Sequence, residues 1–168
     1  MKRAMQLLSG SVFLSLVPMA DAEGYLDPAA YRIASAFVRL AGSEENILAL
    51  VLALREGVPV HLVSPVDPGR DFMPEIVVVE PPTGPMDWHD VRMALMLARD
   101  ALQRYGIVQP TLVELHAVLL GGEVTARDGT LVTPAGVLQM RADGVNWGRI
   151  AAERYRAPSV TVRGTFVR

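Results

Sequence analysis

An apolar stripe between residues 88 and 105 constrains the fold more than any other feature of the sequence. Its members are spaced 3 or 4 residues apart: Trp88, Val91, Leu95, Ala98, Leu102 and Tyr105. That spacing is typical of one face of an α-helix. Asp87 precedes the stripe as an N-cap, and Gly106 follows it, as at many helix C-termini. Because packing supplies most of the stability of such a helix, we expect other elements to cover this face.

Capping residues divide most of the remaining chain into further short helices. Asp27-Pro28 and Ser43 begin two apolar segments, which end at Gly42 and Gly57. A Thr-x-x-Glu capping box at 111–114 begins another, which stops at Gly121. We predict two more helices, from Thr133-Pro134 to Gly144 and from Asn146 to about Arg156, and one apolar face on the first helix formed by Tyr31, Ala34, Phe37, Val38 and Ala41.

Short β-structure is predicted between the helices. The segments 58–63 and 75–80 are rich in β-branched residues, and we expect them to pair as an antiparallel ribbon supported by the helices. The segment 123–132 is typical of a small hairpin that turns at Asp128-Gly129. The predicted fold is therefore mainly α with minor β: a compact bundle of five or six short helices with one or two small β-ribbons.

The N-terminal residues predict export. Lys2 and Arg3 precede an apolar run from Leu7 to Val17, and Ala20-Asp21-Ala22 has the small-x-small form of a signal-peptidase site. The run is about half the length that a membrane span requires. We therefore predict a cleaved signal peptide at 1–22, a periplasmic or secreted location, and one helical domain at 23–168. Its last part, 158–168, is predicted to be irregular or an edge strand.

The sequence contains no recognisable catalytic or metal-binding motif. Cysteine is absent, and the three histidines, His61, His89 and His116, lie in separate predicted elements. Neither a Gly-x-Ser-x-Gly nucleophile turn nor a glycine-rich phosphate loop is present. We therefore predict no catalytic, metal or cofactor-binding residues. The pair of catalytic carboxylates that cleaves glycosidic bonds has no fixed sequence spacing, so an enzyme acting on envelope polymers remains an alternative.

Two helix starts resemble each other. The segments "DWHDVRMA" at 87–94 and "NWGRIAAE" at 146–153 each place a tryptophan directly after a capping residue, and these are the chain's 2 tryptophans. One interpretation is that both rings wedge helix starts into the core. The other is an aromatic contact platform, since methionine and aromatic side chains suit protein contacts. The predicted interaction surface comprises Met86, Trp88, His89, Met93, Met96, Trp147 and Arg149.

The segment 137–151 resembles the first part of bacterial helix-turn-helix domains, with a helix, a glycine turn and a second capped helix. Such domains also need a recognition helix that enters the major groove. The residues that follow contain Pro158 and Gly164 and are rich in β-branched side chains, which disfavours that helix. The formal net charge of −2 also disfavours phosphate binding. We therefore favour a helical hairpin that packs its own core, and keep a DNA-binding protein as an alternative.

Four segments together resemble a group of small exported proteobacterial proteins of uncharacterised function. They are "FVRLAGSEENILALVLALREGVPVHLV", "PPTGPMDWHDVRMALMLARDAL", "GIVQPTLVELHAVLLGG" and "GVLQMRADGVNWGRIA". Helix starts in that group are usually of the Gly-Trp-Gly or Gly-Phe-Gly type; Gly148 fits this pattern, whereas Asp87 and His89 depart from it. The ending after Ala152 is also atypical. The resemblance implies export and a shared architecture, and it implies no particular activity.

Together these features predict an exported envelope or secreted protein that acts as a non-catalytic protein-interaction module. The expected partner is another envelope protein, with no nucleic acid and no transmembrane segment after signal cleavage. An enzyme acting on envelope polymers and a helix-turn-helix DNA-binding protein are the alternatives.

Overall fold

The computed structural model describes residues 27–64 and 74–153. Over these residues the fold is mainly α with minor β, which confirms the predicted class. The six helices are α1 (Pro28–Ala41), α2 (Glu44–Glu56), α3 (Trp88–Arg104), α4 (Leu112–Leu120), α5 (Val137–Ala142) and α6 (Trp147–Glu153). The strands are β1 (Val60–Val63), β2 (Ile76–Val79), β3 (Val124–Thr125) and β4 (Leu131–Val132). The predicted signal peptide at 1–22 and the predicted tail at 158–168 lie outside the described residues.

The first four helices begin at the predicted capping residues. The side chains of Asp27 and Asp87 accept hydrogen bonds from backbone amides at 2.7 Å, and that of Ser43 accepts one at 3.1 Å. Thr111 and Glu114 form the complete reciprocal capping box. Each bond satisfies an amide that the helix itself leaves without a partner. Local sequence therefore determines where these helices start.

The predicted stripe of α3 lies in the core. Val91, Leu95, Ala98 and Leu102 are buried, while Trp88 and Tyr105 at the two ends are half-buried. This face packs against α1, α2, α4 and α5. The largest fully buried side chains come mainly from α2, α3 and α4, and include Ile47, Leu50, Leu54, Leu95, Leu115 and Leu119. No helix among the described residues is long and apolar enough to cross a bilayer.

Two helix predictions were wrong in detail. In α1, Tyr31 is 51% exposed, and Ile33 and Leu40 are buried instead. The buried face is rotated because α1 lies against both α2 and α3. The fifth helix begins at Val137, not at Thr133, because β4 extends to Val132 and Gly136 has a φ of +77°. That left-handed conformation precedes the helix and is incompatible with continuing it towards the N-terminus.

Both predicted ribbons form. β3 pairs with β4 across the turn at Asp128-Gly129. β1 pairs antiparallel with β2, with Val60 opposite Val79 and Val63 opposite Ile76. One face of this larger ribbon packs on α2 and α4, and its other face points away from the core. The side chains on that outward face are exposed.

Candidate functional site

The seven residues predicted as an interaction surface lie at three depths. Met86 is only 4% exposed, so the prediction is wrong for this residue, whose side chain belongs to the core. Trp88, Met93, Met96 and Trp147 are half-buried. His89 and Arg149 are exposed. The fold brings both tryptophans to the N-terminal end of α3, where each belongs to a small polar cluster.

The first group, the Trp88 cluster, consists of Trp88, Asp27 and Arg55. The indole Nε1–H donates to Asp27 Oδ2 at 3.1 Å, and Asp27 Oδ1 caps α1. The Arg55 guanidinium lies 5.3 Å from the centroid of the indole ring. Arg55 also donates to the carbonyl oxygen of Met86 at 2.9 Å. The cluster therefore joins the start of α1, the end of α2 and the start of α3.

The second group, the Trp147 cluster, repeats this arrangement with Trp147, Asp90 and Arg141. The indole Nε1–H donates to Asp90 Oδ1 at 2.6 Å. Arg141 donates to Asp90 Oδ2 at 3.3 Å, and its guanidinium carbon lies 5.0 Å from the centroid of the Trp147 ring. Asp90 therefore joins α3 to the end of α5 and the start of α6.

Within each cluster, the polar side chains contact one another. In each, the indole N–H has a carboxylate acceptor and the ring has a cation beside it, an arrangement that is attractive through the ring quadrupole. The geometry favours the first interpretation of the repeated motif, in which tryptophans hold helix starts together. The sequence analysis singled out the two tryptophans. It did not identify their partners, which are Asp27, Arg55, Asp90 and Arg141.

The segment that resembles a helix-turn-helix motif forms a short helical hairpin. Val137, Leu138 and Ile150 are buried between α5, α6 and their neighbours. Gly144 has a φ of +83° in the turn, and the Asn146 side chain caps α6 by accepting from the Arg149 amide at 2.9 Å. This segment therefore packs its own core, and the residues after 153 lie outside the described part of the chain.

Local structure explains the pKa shifts of three titrating groups. The pKa of Glu45 is lowered by its own backbone amide and by Ser43 at the start of α2. The pKa of Asp128 is lowered by hydrogen bonds from Thr130 in the β3–β4 turn. Burial raises the pKa of the Tyr105 phenol, partly opposed by the charge of Arg104. These are the effects of a cap, a turn and a half-buried phenol.

Among the described residues, no three His, Cys, Asp or Glu side chains are grouped so that they could hold a metal ion.

Three of the exposed large hydrophobic residues in the described part of the chain lie on the β1–β2 ribbon, a surface that the sequence interpretation did not identify. We define the outer ribbon face as His61, Val63, Ile76 and Val78. Val63, Ile76 and Val78 are 43%, 58% and 45% exposed. In the β1–β2 register, Val63 lies opposite Ile76 and His61 opposite Val78, so the four side chains form one patch. Strand alternation places 61 with 63 and 76 with 78, but the cross-strand register that joins the two pairs is not evident from sequence.

No protein-family model matches this chain, and neither curated proteins nor solved structures include a significant match to it. The comparisons therefore assign no family. The residues and geometry of the chain itself are the basis for a functional inference.

Proposed function

We propose that this chain is an exported, non-catalytic protein-binding module whose contact surface is the outer ribbon face. The observation that supports the proposal is the exposure of Val63, Ile76 and Val78 side by side on a paired ribbon. Contiguous apolar surface on a soluble domain is typical of interaction sites. The helix starts are a poorer candidate, because both indoles already have partners within the chain.

The chemistry of the patch indicates the kind of partner. Three aliphatic side chains and one imidazole form it. Glu75 and Glu80 flank β2 at its two ends, and Glu45 of α2 lines a pocket together with His61 and Val63. Exposed strands commonly carry charged residues that discourage association with other chains. No charged residue lies between Glu75 and Glu80 in β2. The patch therefore suits a partner protein with a complementary aliphatic or aromatic surface. The predicted export places that partner in the cell envelope or outside the cell.

The enzyme alternative gains no support from the carboxylates at the helix starts. Asp27 accepts from the Ala29 amide and the Trp88 indole, and Asp90 accepts from Trp147 and Arg141. Each carboxylate is occupied in linking structural elements. The DNA-binding alternative depends on residues beyond 153.

Export is tested by the N-terminus and the cell fraction of the native protein. We expect a mature chain that begins at Glu23, because the Ala20-Asp21-Ala22 site precedes it, and recovery from the periplasm or medium. An intact chain beginning at Met1 in the cytoplasm would contradict the proposal. N-terminal sequencing of protein from each fraction makes the measurement.

Binding is tested by placing a photoreactive amino acid at Ile76 in the native cell. We expect one discrete crosslinked protein, and we expect Val63→Asp together with Val78→Asp to abolish it by adding charge to the patch. Val113, which is 47% exposed on α4, is the matched control position and should give no such adduct. Equal adducts at both positions, or none at Ile76, would refute the outer ribbon face as the contact surface.

A further inference from the structure

A cavity of about 240 Å³ lies between the C-terminal halves of α1 and α3. Its floor is apolar, since Phe37, Leu40 and Leu102 line it and are buried. Two arginines also line it, Arg39 from α1 and Arg99 from α3. None of the ten described residues that line the cavity is acidic. The cavity therefore combines an apolar floor with positive charge.

The side chain of Arg99 is held in place, but its charge is only partly offset. Its guanidinium carbon lies 5.1 Å from the centroid of the Phe37 ring, so the planar group packs on an aromatic surface. Its Nε lies 3.8 Å from Asp100 Oδ1, which is too far for a hydrogen bond, and both side chains are partly exposed. Arg99 can therefore still donate hydrogen bonds to an anion in the cavity.

Arg39 brings a second cation to the same cavity. It is exposed, and within the described part of the chain its guanidinium has no hydrogen bond or ion pair. Arg39 lies in the last turn of α1, where positive charge offsets the helix dipole. That local effect requires one cation. Two guanidiniums beside one cavity instead favour a carboxylate ligand, which arginine binds through paired N–H donors.

The loop after α3 adds an apolar wall beside the two cations. Ile107, Val108 and Pro110 line the cavity on this side. Val108 is 65% exposed, the largest value among the exposed large hydrophobic residues of the described chain. Binding pockets typically combine apolar walls with a few polar groups that fix the orientation of the ligand. The cavity therefore suits a ligand in which an anionic group and an apolar group are adjacent.

We propose that this cavity binds the C-terminal residue of a partner protein. The free α-carboxylate contacts Arg39 and Arg99, and an aliphatic side chain packs against Val108 and the apolar floor. The cavity is smaller than the roughly 300–1,000 Å³ of pockets for drug-sized ligands, so it suits one residue at the end of a chain. Capture of a terminal carboxylate is a recurring mode of peptide recognition. The site is separate from the outer ribbon face, and its occupation does not depend on that face.

Titration of the purified, isotope-labelled full chain with the peptide acetyl-Ala-Ala-Leu, followed by amide chemical shifts, tests the proposal. We expect saturable shifts at the amides of Gln103, Ile107 and Val108, which line the cavity. The same peptide with an amidated C-terminus should bind at least about tenfold more weakly, because it lacks the charge that the arginines recognise. Acetyl-Ala-Ala-Ala should also bind more weakly, because its side chain does not fill the apolar part of the cavity.

Variants of the two arginines locate the binding site. Arg39→Gln and Arg99→Gln should each weaken binding of the acid peptide roughly tenfold, by removing charged hydrogen bonds. Arg92→Gln is the matched control, because Arg92 is exposed on α3 and is not among the residues that line the cavity. The control variant should bind the peptide with unchanged affinity. Retention of the amide spectrum outside the cavity shows that each variant is folded.

Several results would overturn the proposal. No shift up to about 10 mM peptide, a concentration that reveals even millimolar affinity, would show that the cavity does not bind a C-terminus. Equal affinity for the acid and the amide would exclude recognition of the carboxylate. Equal weakening by Arg92→Gln would indicate general attraction to positive charge. Tighter binding of decanoate than of the peptide would assign the cavity to an acyl chain. None of these results depends on crosslinking at Ile76, so they are distinct from failure of the proposed function.

Discussion

Replacing Gly57 with alanine is expected to lower the free energy of unfolding by at least about 3 kcal/mol. Gly57 ends α2 with a φ of +70°, a conformation that strains other residues. An added Cβ would also lie 2.4 Å from Gly84 C and Pro85 N, which are backbone atoms that cannot turn aside as a side chain does. The strain and the overlap act together. Denaturant unfolding followed by tryptophan fluorescence measures the change.

Gly144→Ala is the matched control for the backbone strain alone. Gly144 has a φ of +83°, but apart from its two chain neighbours no residue has a heavy atom within 4 Å of the point that an added Cβ would occupy. We expect this variant to lose about 1 kcal/mol, the cost of the left-handed conformation. Equal losses for the two variants would mean that the close approach between the end of α2 and the 84–85 segment does not exist in solution.

Replacing Asn46 with aspartate is expected to be comparably damaging, at about 3 kcal/mol near neutral pH. Asn46 is 6% exposed, and its Nδ2 donates to the carbonyls of Ala41 and Val63 at 3.0 and 2.9 Å. Its Oδ1 accepts from the Val63 amide at 3.0 Å. A carboxylate keeps only the last bond and turns a negative oxygen towards two carbonyl oxygens. Urea unfolding at several pH values measures the effect.

The pH dependence has a definite sign. Burial and the facing carbonyls disfavour the ionised carboxyl and raise its pKa in the folded state. The destabilisation should therefore shrink as the pH falls through that raised pKa and grow as the pH rises. Asn146→Asp is the control: Asn146 is exposed, and aspartate serves equally well as a helix cap. If both variants had the same stability, Asn46 would not anchor β1 to α2.

Local patterns account for the part of the fold that the sequence predicted. Caps such as Ser43 and Thr111 act on amides within three residues, so the starts of α1 to α4 follow from short segments. The stripe of α3 is likewise a property of one helix. Both ribbons were predicted from β-branched runs and the turn at Asp128-Gly129.

The errors and omissions arise from contacts between distant segments. Trp88 and Asp27 are 61 positions apart, and Asn46 and Val63 are 17 apart, so no local pattern joins them. The start of α5 was wrong because Gly136 lies against the end of α4, where a Cβ would come within 2.5 Å of backbone atoms. Periodicity alone did not identify which face of α1 would be covered. Met86 was assigned to the contact surface for the same reason, since exposure depends on what packs over each element.

The central claim is that the tryptophans and charged residues around the start of α3 hold helices together, leaving recognition to the outer ribbon face. Its most direct test is a double-mutant cycle with Trp147→Phe, which keeps a ring but removes the N–H, and Asp90→Ala. The 2.6 Å bond between these side chains should appear as a coupling of about 1 kcal/mol or more.

The matching control cycle combines Trp147→Phe with Asp27→Ala, whose carboxylate accepts from the other indole. We predict additive effects within about 0.5 kcal/mol for that pair. Coupling between Trp147 and Asp90 together with additivity in the control would establish the structural role. Additivity in both cycles would contradict it, and would return the indoles to consideration as a contact surface.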